Sequence, residues 1–100
     1  MFGERVTATQ ALSLAAAELR DAARAAGVIA DDERIAYTTG SRTYHIAPSV
    51  HITGPRGDRP LLGLPDFTRM TRSRDVAVAM MTMATHLRHL VDLQVLWANP

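Results

Sequence analysis

Residues 71–96 constrain this chain more than any other stretch. Thr71 or Ser73 supplies an N-cap and Asn99-Pro100 a stop, and apolar residues between them recur at helical spacing, so the run predicts one long helix. At 1.5 Å per residue it extends roughly 38 Å, whereas a globule of this chain length is only about 34 Å across. An element of that length crosses the whole domain, and the remaining elements must be arranged along it. Val76, Met80, Met83, Ala84, Leu87, Leu90 and Val91 fall on one face, which is the expected core face. Residues 76–84 carry a single polar side chain, so Val78 and Met81 point away from that core where a surface helix is normally polar. With Thr85 they form an outward strip, and a two-fold homodimer is expected to cover it, the alternative being that the sheet or residues 60–70 fold over this half of the helix within one chain. Met side chains suit such adaptable contacts.

A second helical period occupies residues 8–26. Ala8, Leu12, Ala15, Ala16, Leu19, Ala22, Ala23 and Ala26 share a face. Thr7 or Thr9 can cap its start, and Gly27 stands where a left-handed residue ends a helix. A face made mostly of Ala lets its partner approach closely. Asp31-Asp32-Glu33 then reads as a turn of solvated acids. Period-2 segments follow: residues 34–39, with Ile35 and Tyr37 on one side, and residues 43–53, with Tyr44, Ile46, Val50 and Ile52 on one side. Gly40-Ser41 between them fits a two-residue type II′ hairpin turn. Pro48 lacks an N–H and makes the returning strand an edge or introduces a bulge. Leu61-Leu62-Gly63-Leu64 is long enough only for a short third strand or a packed loop. The order α-β-β-(β)-α, without repeat or linker, predicts a single α+β domain over residues 1–100, an antiparallel meander with both helices on one face.

Composition narrows the function classes. The chain has 100 residues, 47% hydrophobic and 21% charged, which is enough apolar content for a real core. Its formal net charge of +1 argues against coating nucleic acid by bulk charge. There is no Cys, which excludes disulfides, thiol catalysis and Cys-based metal sites. Neither a signal-peptide pattern at Met1-Phe2-Gly3-Glu4-Arg5 nor a membrane-length apolar run is present, so a soluble cytoplasmic protein is expected.

No constellation for catalysis emerges. His86, His89 and Asp92 recur every third residue on the long helix, which could suit a metal. They drift over about 120° of arc, however, and no Glu lies between the His residues as in a zinc metalloprotease. His45 and His51 share a strand face but lie too far apart to share a ligand. The serines sit in no nucleophile elbow, and no phosphate-cradling glycine loop is present. No cofactor, metal or catalytic residue is expected.

Arginine is distributed unevenly. Residues 41–75 hold six Arg (42, 56, 59, 69, 72 and 74) against three Asp. Arg72 and Arg74 would enter the first turn of the long helix, where the dipole disfavours cations by about 0.3–1 kcal/mol each. Local rules tend to be broken at functional sites. Arg69, Arg72 and Arg74, with Arg56 and Arg59, are therefore the candidate contact patch for a phosphate or an acidic partner.

Every basic residue is Arg and none is Lys, a usage that fits a GC-rich genome such as that of an actinobacterium or its phages. Residues 37–44, read Tyr-Thr-Thr-Gly-Ser-Arg-Thr-Tyr, with the Leu-Gly segment and the Thr-Arg-initiated helix after them, resemble small uncharacterised actinobacteriophage and actinobacterial proteins. That resemblance implies a factor that binds and modulates a host protein. The element order also resembles the double-stranded-RNA-binding domain, with Arg72-Ser73-Arg74 where that domain grips phosphates, although its Lys cluster is missing. The expectation is a non-enzymatic protein-binding module, with a nucleic-acid-binding domain as the alternative.

Overall fold

The structure, a computed structural model, describes residues 7–38, 43–44, 49–61 and 73–98. Five elements follow one another: α1 (Ala8–Ala25), β1 (Arg34–Thr38), β2 (Ser49–Thr53), β3 (Arg59–Pro60) and α2 (Ser73–Ala98). The strands form one antiparallel sheet in the order β1-β2-β3. The expected α+β architecture is therefore the observed one.

Both ends of α1 are closed by the residues that the sequence offers. The Thr7 side chain accepts from the Gln10 N–H, and the Gln10 side chain returns the contact to the Thr7 N–H, a reciprocal capping box. At the other end Gly27 adopts φ +74°. Its N–H donates to Arg24 O, and that of Val28 donates to Ala23 O at 2.9 Å, the paired bonds of a Schellman turn.

The core runs along the two helices. α1 buries Leu12, Ala15, Leu19, Ala22 and Ala23; α2 buries Val76, Met80, Met83, Ala84 and Leu87. The sheet adds Ile35, Val50 and Ile52, and Leu61 joins the same cluster just beyond β3. The Ala face of α1 thus lets a Met-rich helix lie close, and the larger side chains of α2 fill the space. Among the described residues of α2, Leu87 is the last buried one: Leu90, expected on the core face, is 42% exposed and Val91 only half-buried. A salt bridge between Glu18 and Arg88 ties the two helices outside the core.

The register corrects one expectation. Ile35 pairs with Ile52 and Tyr37 with Val50, so the apolar faces coincide as expected. Thr38, however, pairs with Ser49. A two-residue turn at Gly40-Ser41, which lies outside the described residues, would have set Thr38 opposite Thr43. Thr43 and Tyr44 instead form a turn, and Tyr44 is 76% exposed rather than on the core side of β2. The strand begins immediately after Pro48, a residue with no N–H to donate. A short third strand is present at Arg59–Pro60, just before the Leu-Leu-Gly-Leu segment, of which Leu61 is buried and residues 62–64 lie outside the described residues.

Candidate functional site: the outer face of the helix pair

The Arg residues of the expected contact patch do not share one fate. Arg69 and Arg72 lie outside the described residues. Arg74 is exposed in the first turn of α2, next to Asp75, whose carboxylate offsets it at the positive end of the dipole. Arg56 and Arg59 are engaged within the chain. Both guanidinium Nη atoms of Arg56 donate to the Asp32 carboxylate, at 3.0 and 2.6 Å. Arg59 donates to Glu33 through Nε at 3.3 Å and Nη2 at 2.8 Å, and Nη2 also reaches Val28 O.

Asp31 and Asp32 are exposed in a turn, as expected, but Glu33 departs from the reading of residues 31–33 as solvated acids. It is 4% exposed, and its Oε1 also accepts the Ala30 N–H at 2.9 Å. The Arg59 guanidinium, helped by that N–H, holds the Glu33 carboxyl below its usual range, and Arg56 does the same for Asp32. Arg24 Nη2 donates to the carbonyls of Asp31 and Glu33. A Cβ on Gly54 would stand 3.0 Å from the Glu33 Cγ, so that turn passes close over the carboxylate. These contacts fasten the connection between α1 and β1 to the β2–β3 turn. They account for Arg56 and Arg59 as structural cations rather than free ones.

The apolar strip has a different character. Val78 is 57% exposed and Met81 40%, and Thr85 is exposed beside them. Leu14, on the facing edge of α1, is 61% exposed. Ala11, Leu14, Ala15, Val78, Met81 and Thr85 line a shallow cleft of about 340 Å³ between the two helices. Every residue lining the cleft is uncharged. The Thr82 and Thr85 hydroxyls donate to Val78 O at 2.8 Å and Met81 O at 3.0 Å. Their donors are already satisfied inside the helix, so a dry partner can cover the strip without orphaning either hydroxyl. Sequence periodicity located the α2 half of this site but missed Leu14. The available signal was one Leu among the polar residues opposite the Ala face.

His86, His89 and Asp92 are all exposed on α2. Among the described residues no group of three His, Asp or Glu stands close enough to hold a metal ion. No helix among them is long and apolar enough to cross a membrane. Comparison with known proteins returned no matching family model, no matching curated protein and no matching solved structure.

Proposed function

We propose that this chain is a non-enzymatic protein-binding module that docks another polypeptide on the α1–α2 face. The observation that carries the reading is the neutral, apolar cleft edged by Leu14, Val78 and Met81, three large side chains held in water on rigid helices. Exposed apolar surface of this kind, grouped rather than scattered, marks contact sites. The Lys-free composition and the 37–44 motif extend the proposal to a cytoplasmic phage or actinobacterial factor that engages a host protein. The pairing of Arg56 and Arg59 with acids weighs against the nucleic-acid alternative, because it removes two of the cations that phosphates would need.

Affinity capture from a GC-rich bacterial lysate, with the parent and Met81→Glu side by side, tests the reading. A protein retained by the parent and lost from the variant, with helical circular dichroism unchanged, is the expected result. Retention of nucleic acid with a steep salt dependence, unaffected by Met81→Glu, would replace it with the alternative.

A further inference from the structure

The exposed stripe of α2 has a spacing that names its occupant. Arg74, Val78, Met81, Thr85, Arg88 and Asp92 recur at intervals of four, three, four, three and four residues, the pattern of a helix–helix seam. All six are exposed. The interval series reads the same in both directions, so a second copy of the helix running antiparallel meets it position for position. Centred between Thr82 and Ala84, the two-fold sets Met81 beside Thr85 of the other copy and Val78 beside its Arg88. The head of that Arg88 is already occupied by Glu18 of its own chain, so its aliphatic stem is what Val78 meets. The same operation sets Arg74 beside Asp92 of the other copy, twice. Among the described residues, neither the Arg74 nor the Asp92 side chain makes a hydrogen bond or ion pair. A parallel arrangement would instead oppose Arg74 to Arg74 and Asp92 to Asp92.

Resting on the reading of the α1–α2 face as a docking surface, we infer that its resident occupant is a second copy of this chain. The two copies are held antiparallel along α2, with reciprocal Arg74–Asp92 pairs closing the ends of the apolar strip. Opposite charges at the ends fix direction and register, and the neutral middle lets the surface meet itself without like-charge repulsion. A host protein then exchanges for the second copy rather than meeting a bare face.

Sedimentation equilibrium of the full chain tests this. The parent is expected at twice its 10.9 kDa mass. Arg74→Asp and Asp92→Arg, each alone, should weaken the dimer by about twofold to thirtyfold, since each change turns two attractive pairs into repulsive ones. The double exchange Arg74→Asp with Asp92→Arg should restore it to within about threefold. A monomeric parent overturns the inference, and so does a dimer indifferent to the single changes or one that the double exchange fails to rescue. A monomeric parent whose captured protein is still lost on Met81→Glu would sink the second copy and leave the docking face standing. A rescued dimer that captures nothing else would leave the second copy standing and overturn only the binding of a host protein.

Discussion

Arg59 and Glu33 meet across 26 positions of chain, with Nη2 of the one 2.8 Å from Oε1 of the other, and they join the β3 end of the sheet to the linker that leaves α1. The pair does what a small core alone does poorly: it fixes where a helix exit sits relative to a sheet edge. Arg59→Ala is expected to lower the thermal midpoint more than Arg56→Ala. The first change strands a buried carboxylate, whereas the second frees an exposed one that water can solvate. Parallel melting curves decide the order.

Stability should depend on acid through the same carboxylates. The folded state holds the Glu33 carboxyl below its ordinary 4.5 and that of Asp32 below 3.8. A depressed folded pKa stabilises the fold above the unfolded value, and that contribution is lost as pH falls through the folded one. Urea midpoints should hold steady near neutrality and drop as pH falls below about 4.5. In Glu33→Gln the acid-dependent loss should shrink, because only the Asp32 share remains.

Gly27 offers a test of backbone strain without packing. A Cβ there would meet nothing within 4 Å, so Gly27→Ala pays only for φ +74°. A loss of roughly 1–2 kcal/mol in denaturant titration is expected. Asn tolerates the left-handed region better and should cost less.

Two neighbouring valines of α2 should separate surface from core. Val76 is fully buried and Val78 is 57% exposed. Val76→Glu should abolish folding, because an unpaired carboxylate cannot be held in the core. Val78→Glu should leave the helical circular dichroism signal intact. Equal damage by both would mean that Val78 is covered within one chain.

Leu19 is fully buried in α1. Leu19→Ala should cost about 2–5 kcal/mol. Ala23→Leu, at a position where α1 has no spare room, should cost about 1–3 kcal/mol from overpacking. Guanidinium titration of both variants measures the two effects against each other.

What the sequence made legible follows the range of the forces involved. Thr7, Gly27 and the Ala face act within one or two turns of helix, and each stands where its local pattern placed it. The register of β1 against β2 was misread because Gly40-Ser41 is a strong short-range signal, whereas pairing Ile35 with Ile52 depends on which faces meet the helices. Glu33 was misread for a similar reason. Beside Asp31 and Asp32 it looks like one more solvated acid, and nothing nearby announces that Arg59 will close over it. Of the candidate site, Val78, Met81 and Thr85 were visible as a flaw in the polar face of one helix. Leu14 became part of it only when α1 was laid alongside.

The salt bridge between Glu18 and Arg88 spans 70 residues, and that separation has a meaning in time. A ribosome adding about 5–20 residues per second makes the Ala face of α1 roughly 4–14 s before the helix that covers it. Through that interval the nascent chain has a capped helix and strands to pair, but no second wall to its core. Final folding therefore waits until α2 has emerged to cover that face. Any truncation that removes α2 costs the protein its interior, not just a surface element.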